Sequence, residues 1–137
     1  MRSDTLTIRT GSTPVVRDIT EQCARFAAEG GSAGDGLLHV FVPHATAGLA
    51  ILETGSGSEQ DLLTALDGVL PTDAPWRHRH GSPGHGRDHL LPALVAPYAT
   101  VPVLGGRLEL GTWQRICLVD TNVDNSTRTV RLSFLTG

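Results

Sequence analysis

The spacing of apolar residues changes several times along this chain, and these changes restrict the folds that it can adopt. In the stretch TLTIRT, Leu6 and Ile8 alternate with polar residues, which is the period of a half-buried strand. The next stretch, DITEQCARFAAEGG, has apolar residues at helical spacing. Asp18 and Glu21 form a capping pair at its start, and Gly30–Gly31 supply a stop. The chain is therefore predicted to begin with a strand and then a helix.

The same change of period recurs in the middle of the chain. The stretch GLLHVFVPH predicts a strand whose core face carries Leu38, Val40 and Val42 and ends at His44. A further strand is predicted at GLAIL. The stretch SEQDLLTALDGVL predicts a second helix, capped by Ser58. Strands and helices thus alternate at short intervals.

The last third of the chain is predicted to be mostly strand. The pair Gly105–Gly106 supplies the positive φ angles of a two-residue hairpin turn, and TRTVRLSFLTG alternates like a final strand. Before the hairpin, DHLLPALVAP predicts a short helix with Asp88 at its N-cap. We therefore expect one α+β domain over residues 1–137, a twisted antiparallel sheet or sandwich with two or three helices.

Composition excludes several classes of partner. The chain has a formal charge of −3, a pI near 6.0 and 4% aromatic residues, which disfavours a nucleic-acid surface. No stretch has the length and apolar character of a signal peptide or a membrane span, so we expect a cytoplasmic protein that does not enter a membrane.

Cys23 and Cys117 are isolated in sequence, and we expect small buried residues rather than a disulfide or a nucleophile.

Four of the chain's six histidines occur in the stretch WRHRHGSPGHGRDHLL: His78, His80, His85 and His89. Imidazole ligates metals and also titrates near neutral pH, so metal binding and proton transfer are both open. The spacing matches no specific ligand motif, and a solvated Gly/Pro loop is the alternative. His89 stands at a predicted helix start. His44 ends a predicted strand before the small-residue turn ATAG, which allows a ligand close to the backbone.

Taken together, PHATAGLAILE, PWRH, DHLLPAL and GRLELGTWQRICLVD resemble the YjbQ family, also called the secondary thiamine-phosphate synthase family, over residues 5–135. The positions that match are His44, Thr46, Ala47, Gly48, Glu53, Asp61, Pro75, Trp76, His78, His89, Gly106, Arg107, Leu110, Gly111, Thr112, Trp113 and Gln114. Three positions depart from the family pattern: Ala45 for a Thr, Leu52 for an Asn, and Leu91 for a Lys. The missing Lys is expected to weaken phosphate binding. His80 and His85 have no counterpart, and this predicts that they are loop residues.

The resemblance implies a homotrimer in which three histidines converge in a pocket near a subunit boundary. These are His44, His78 and His89, as catalytic residues and as ligands of a divalent metal, Zn or Mg, or of a phosphate. The residues implied to bind substrate are Thr46, Gly48, Gly111, Thr112 and Gln114, while Glu53 and Asp61 are implied to orient a histidine.

The resemblance implies that the protein is a thiamine-phosphate synthase with a weak or secondary activity. Such an enzyme couples a pyrimidine-methyl pyrophosphate to a thiazole phosphate, and this reaction requires positioning and electrostatic stabilisation from the protein. Two other functions remain open. One is a metal-dependent hydrolase that lowers the pKa of a bound water. The other is a trimeric, non-catalytic binder of an anionic metabolite.

Overall fold

The computed structural model describes residues 1–29 and 34–137. The strands are β1 (Arg2–Arg9), β2 (Val15–Asp18), β3 (Gly36–Phe41), β4 (Ala47–Leu52), β5 (Tyr98–Leu104), β6 (Arg107–Leu108), β7 (Arg115–Asp120) and β8 (Thr127–Thr136). The helices are α1 (Thr20–Ala28), α2 (Ser58–Val69), α3 (His85–Asp88) and α4 (Leu91–Leu94). The last two are single turns.

The strands form two sheets, and every strand pair among the described residues is antiparallel. The larger sheet has the order β1-β8-β3-β5-β6, and the smaller one has the order β2-β7-β4. This confirms the predicted α+β class with curled antiparallel sheets.

The main core lies between the two sheets and α1. Its members include Leu38 and Val40 of β3, Leu118 of β7, Leu132 of β8 and Phe26 of α1. The predicted alternation of β3 is confirmed, because Leu38 and Val40 are fully buried whereas the residue between them is half-exposed. The turn Gly105–Gly106 has φ angles of 54° and 77°, which confirms the predicted hairpin.

Two helix starts differ from the prediction. Asp18 does not cap α1 together with Glu21; its carboxylate accepts the backbone N–H and the hydroxyl of Thr20, the first helical residue. Ser58 is the first residue of α2 rather than its cap, and the cap is Gly57 with a φ of 100°. A positive φ favours glycine here. The predicted stop at Gly30–Gly31 lies outside the described residues.

The predicted short helix is replaced by two single turns. Asp88 ends α3 instead of capping a helix, and it is buried. Leu91, which follows the histidine segment, is fully buried in a second apolar cluster with Leu66 and Val119. The side chain at position 91 therefore contributes to the core, and the weaker phosphate binding expected from the missing Lys stays a prediction.

Within the described ranges, no helix has both the length and the apolar character that crossing a bilayer requires.

Candidate metal centre

The four histidines of residues 78–89 assemble into one group, which we call the histidine cluster. The ring centroids of His78 lie 4.1 Å from His80, 4.2 Å from His89 and 5.4 Å from His85. One ligating nitrogen of each of His78, His80 and His85 lies within 4.8 Å of the other two. His80 lies in a loop, as predicted, whereas His85 begins α3, and the rings of both lie beside His78, from which the sequence analysis had separated them.

Glycines make the tight path of this segment possible. Gly81 and Gly84 have φ angles of 84° and 88°, which side chains rarely tolerate. A Cβ on Gly86 would collide with the carbonyl oxygen of His78, so this position accepts only the smallest residue. The chain thus folds back on itself and brings His78 and His80 over α3.

A carboxylate from a distant part of the chain holds one member of the cluster. His85 Nδ1 lies 2.7 Å from Asp124 Oδ2. Asp124 also accepts the backbone N–H of Ser82 at 3.2 Å and the Ser82 hydroxyl. These bonds lower the pKa of Asp124, with the Ser82 hydroxyl as the largest cause. An ionised carboxylate favours the tautomer of His85 that carries its proton on Nδ1, and the lone pair of Nε2 then lies on the side of His89.

The remaining nitrogens fit a metal ion. His85 Nε2 and His89 Nε2 are 3.0 Å apart. This separation is that of a hydrogen bond between the two rings, so an ion would be held by the nitrogens of His78, His80 and His85. Among the described residues, His78 Nε2 is a buried atom without a hydrogen-bond partner. Buried polar nitrogens normally have one, and a bound metal ion can take the place of such a partner.

Electrostatics favours the neutral form of two imidazoles of the cluster, those of His78 and His89. Burial lowers the pKa of His78, and the neighbouring His80 and His85 lower it further. The pKa of His89 is likewise lowered, first by burial and then by the other three rings. Only a deprotonated nitrogen ligates a metal, so these shifts prepare the cluster for a cation near neutral pH.

A buried polar network fixes α3 beneath the cluster. Asp88 accepts hydrogen bonds from Thr121 Oγ1 at 2.6 Å, Asn122 Nδ2 at 3.1 Å and Arg87 Nε at 3.1 Å. Arg87 also reaches Asp67 Oδ1 at 2.5 Å. Because each group is paired, the backbone that carries the histidines has a defined position.

His44 lies outside the histidine cluster, although both adjoin the end of β7. Its Nε2 accepts the backbone N–H of Thr129 at 2.9 Å. Nearby, Arg128 and Asp120 form a fully buried ion pair with bonds of 2.7 and 3.0 Å. Thr46 accepts a further bond from Arg128 at 2.8 Å. Burial, and then the Arg128 guanidinium, lower the pKa of His44, and Asp120 opposes them. Within one chain, the structure brings His78 and His89 together but does not bring His44 into ring contact with them.

The other residues implied by the resemblance are spread over the chain. Gly48 is buried on β4, where a Cβ would collide with the Val95 carbonyl oxygen, so its glycine serves packing. Gly111, Thr112 and Gln114 form an exposed turn before β7, and Gln114 Oε1 accepts the Gly111 N–H at 2.7 Å. This turn borders a groove of about 510 Å³ between α1 and β6.

The two carboxylates implied to orient a histidine lie apart from the cluster. Glu53 is exposed and accepts a bond from Ser56 at 3.3 Å, and Asp61 is exposed on α2. Among the described residues of one chain, the carboxylate that bonds to a cluster histidine is that of Asp124. Glu53 and the turn at residues 111–114 adjoin the start of β7, whereas the cluster adjoins its end. The six residues of β7 span about 17 Å at about 3.3 Å per residue.

A small cavity of about 170 Å³ opens beside the cluster. Thr72, Trp76, His78, Arg79 and His80 are among its lining residues. Arg79 is exposed and uses its Nε to donate to the Trp76 carbonyl at 3.0 Å. The positively charged guanidinium of Arg79 therefore lies next to the cavity and the histidines.

Sequence reasoning did not identify the residues of the later part of the chain that support both polar centres: Asp120, Asn122, Asp124 and Arg128. Their signal is the polar stretch DTNVDNSTR, which begins at the last residue of a strongly apolar strand. Asp88 was predicted only as a helix cap. The cysteines, by contrast, match the prediction: Cys23 and Cys117 are free and buried, and burial raises the pKa of each to about 12.

The fold and the site together define a small α+β protein with a clustered-histidine centre at one end of its smaller sheet. A family model described as "UPF0047 protein YjbQ-like" matches residues 4–137, and the chain belongs to this family. It is similar to a UPF0047 protein of Mycobacterium tuberculosis, with 55% identity over 100% of both chains. It is also similar to the UPF0047 protein YugU of Bacillus subtilis, with 35% identity over 82% of this chain and 83% of the relative.

Solved structures of the same kind agree with the fold. A hypothetical protein from Aeropyrum pernix superimposes with a TM-score of 0.90 at 31% identity, covering 100% of both chains. A YbjQ-like protein of unknown function from Sulfolobus solfataricus gives a TM-score of 0.91 at 26% identity, covering 99% of this chain and 97% of that one. These similarities establish the family and the fold.

Proposed function

We propose that the histidine cluster is a catalytic divalent-metal centre, and that the chain is a metal-dependent hydrolase of a small phosphorylated metabolite. The observation that carries this proposal is the convergence of nitrogens from His78, His80 and His85 within 4.8 Å. Three imidazoles with a further open position are the ligand set of many catalytic zinc sites. Nitrogen donors favour a transition metal such as zinc over magnesium, which prefers oxygen.

The proposal gives each residue of the cluster a separate task. His78, His80 and His85 hold the ion, which when bound supplies Lewis acidity and lowers the pKa of a water molecule. Asp124 orients His85 through Nδ1. His89 lies beside His85 without being needed as a fourth ligand, and its Nε2 takes the proton of the attacking water. The water oxygen forms a bond to phosphorus, the ester P–O bond breaks, and the leaving oxygen takes up a proton.

The substrate class follows from the neighbouring cavity. Arg79 lies at its edge, and a guanidinium suits the oxygens of a phosphate group. The cavity volume of about 170 Å³ admits a phosphate with a small substituent rather than a macromolecule. A cytoplasmic location, where such metabolites occur, is part of the proposal.

Thiamine-phosphate synthase activity is the second candidate. In its favour, the motif Gly111–Gln114 borders the larger groove of about 510 Å³, which has room for a ring-containing substrate. In this reaction the thiazole nitrogen attacks the pyrimidine methylene carbon, and the bond to the pyrophosphate oxygen breaks. Because this groove and the histidine cluster adjoin opposite ends of β7, the candidate requires a homotrimer in which one subunit's turn faces another's cluster.

The test begins with the metal. The full chain is stripped with a chelator, dialysed with Zn²⁺, Mn²⁺ or Mg²⁺, and analysed for bound metal per chain by mass spectrometry. We expect about one Zn²⁺ per chain for the wild type and for His39→Ala, and a large loss for His80→Ala. His39 is the matched control because it lies on the large sheet and bonds to Thr100.

Activity then separates the candidates. Phosphate release from p-nitrophenyl phosphate, dependent on the metal and lost in His89→Ala, supports the hydrolase. Thiamine phosphate formed from its two precursors, read as thiochrome fluorescence, supports the synthase. Its dependence on a trimer is checked by sedimentation. Metal binding with neither activity would overturn the enzymatic proposal in favour of a binder, and a wild type without bound metal would refute the metal centre.

A further inference from the structure

Two histidines of the cluster are joined by a hydrogen bond that the family pattern does not supply. His85 Nε2 and His89 Nε2 lie 3.0 Å apart, and position 85 has no counterpart in that pattern. In a neutral imidazole, one ring nitrogen donates and the other accepts. The direction of this bond therefore follows from the position of the proton on His85.

The contacts of His85 Nδ1 decide where that proton lies. Nδ1 has two neighbours, Asp124 Oδ2 at 2.7 Å and Asn122 Nδ2 at 3.2 Å. An ionised carboxylate can only accept, and the bonds from Ser82 lower the pKa of Asp124. Nδ1 therefore donates to Asp124, while Asn122 Nδ2 donates to Asp88 Oδ2 at 3.1 Å. The neutral His85 ring then has its lone pair on Nε2.

The direction of the bond between the two rings is then fixed. Two lone pairs that face each other at this distance would repel, so His89 Nε2 carries a proton and donates it to His85 Nε2. A neutral His89 that donates at Nε2 has its own lone pair on Nδ1. With the rings in this arrangement, the nitrogen of His85 that would hold an ion is already occupied.

We propose that His89 competes with the ion for His85 Nε2 and thereby controls the loading of the proposed metal centre. The inference rests on the proposed function, since it concerns the ion of the same centre. Binding of the ion breaks the bond between the two rings, and the proton of His89 moves from Nε2 to Nδ1 by exchange with water. This leaves a lone pair on His89 Nε2, so loading of the centre also produces the base that the proposed hydrolysis requires.

The other two nitrogens of the proposed centre are not occupied in this way. His78 Nε2 is buried and, among the described residues, has no hydrogen-bond partner, so an ion can bind it without displacing a donor. His80 is exposed and makes no side-chain hydrogen bond within the described ranges. The competition is therefore confined to His85, and His89 is the residue that exerts it.

Two substitutions of His89 separate the donor from the ring. His89→Gln places an amide N–H near the position of Nε2 and keeps a donor for His85. His89→Phe keeps a ring of similar size and removes the donor. If His89 were itself a ligand, His89→Phe would weaken binding of the ion, so competition and ligation predict changes of opposite sign.

The experiment uses the full chain with Zn²⁺ as the probe, in competition with a fluorescent chelator at pH 7.5. The Kd for Zn²⁺ should fall about threefold to tenfold in His89→Phe, because the ion no longer displaces a hydrogen bond. It should stay within about twofold of the wild type in His89→Gln, which keeps the donor. The melting temperatures of the metal-free variants check that both are folded.

Nitrogen-15 NMR of labelled histidines tests the bond itself. Without metal, the wild type should show a proton on His89 Nε2 and a scalar coupling between the two Nε2 atoms across the hydrogen bond. Both signals should disappear when Zn²⁺ is added. This measurement needs no variant, so it decides the question even if His89→Phe does not fold.

Three results would overturn the inference. One is a Kd for Zn²⁺ in His89→Phe that equals or exceeds that of the wild type. Another is an equal gain of affinity in His89→Gln, which would show that the donor is not the cause. The third is a proton on His85 Nε2 in the metal-free protein at pH 7.5. Failure of the proposed function looks different, because neither the wild type nor His89→Phe would then bind Zn²⁺.

Discussion

Replacement of Asp124 tests whether the centre depends on a residue outside the histidine segment. Asp124 accepts His85 Nδ1–H at 2.7 Å and is itself held by two donors of Ser82. Removal of a group that orients a ligating histidine typically lowers metal affinity about 10–100-fold. This range corresponds to about 1.4–2.7 kcal/mol of binding free energy.

The structure predicts different losses of metal affinity for Asp124→Asn and Asp124→Ala. In Asp124→Asn, the amide oxygen can still accept His85 Nδ1–H, so a neutral hydrogen bond replaces a charged one of roughly twice its strength. We expect a loss of about tenfold. In Asp124→Ala, the acceptor is absent and the His85 proton is free to move to Nε2, so we expect a loss near about 100-fold.

The assay is competition for Zn²⁺ between the protein and a fluorescent chelator at pH 7.5, with the metal-free melting temperature as a check on folding. Asp73→Asn is the matched control, because Asp73 is exposed and has no hydrogen bond within the described ranges. If Asp124→Ala remains folded and binds Zn²⁺ within about twofold of the wild type, Asp124 does not orient a ligand and the reasoning fails.

Three further predictions concern stability. Arg128→Met leaves the buried carboxylate of Asp120 without its cation, so urea unfolding should show a loss of about 3–5 kcal/mol; a loss below about 1 kcal/mol would contradict this. Burial lowers the pKa of two cluster histidines below the usual 6.5. As the pH falls below that value, the unfolded chain therefore binds more protons than the folded chain. The metal-free protein should therefore melt at a lower temperature at pH 5.5 than at pH 7.5, and an equal or higher melting temperature would refute the shifts. Gly48→Ala should destabilise the protein because the added Cβ would collide with Val95. Gly68→Ala should stabilise it by about 0.5–1 kcal/mol, because its Cβ meets open space on α2. A change of stability of the same sign for both variants would refute the packing argument.

Local patterns predicted most of the strands and the hairpin turn, but they did not predict β2. The alternation in GLLHVFVPH and the pair Gly105–Gly106 depend on neighbouring residues, and both predictions are confirmed. The family was also predicted, because several short motifs occur in the same order over the whole chain. Helix starts were less predictable, since Ser58 and its preceding Gly57 are both acceptable at a cap and tertiary packing decides between them.

The candidate site was predicted in part. His78 and His89 were named and lie together, but His80 and His85 were set aside because the family pattern lacks them. Positive φ angles at Gly81 and Gly84 bring these two rings into the cluster, and no periodicity encodes that path. Asp124 was missed for a different reason: it is 39 residues from His85 in sequence, and single-sequence reasoning has no measure of such contacts.

The confinement of the proposed metal centre to residues 78–89 bears on when its ion would be loaded during folding. Bringing together ligands that are a few residues apart costs little loop-closure entropy, so the segment can capture an ion before the sheets have formed. The hydrogen bond between Asp124 and His85 closes a much longer loop, so it forms only when the sheets form. A nascent or partly unfolded chain would therefore hold the ion loosely and exchange it readily, and completion of the fold would slow its release. On this view, the dissociation rate of the metal measures how complete the smaller sheet is.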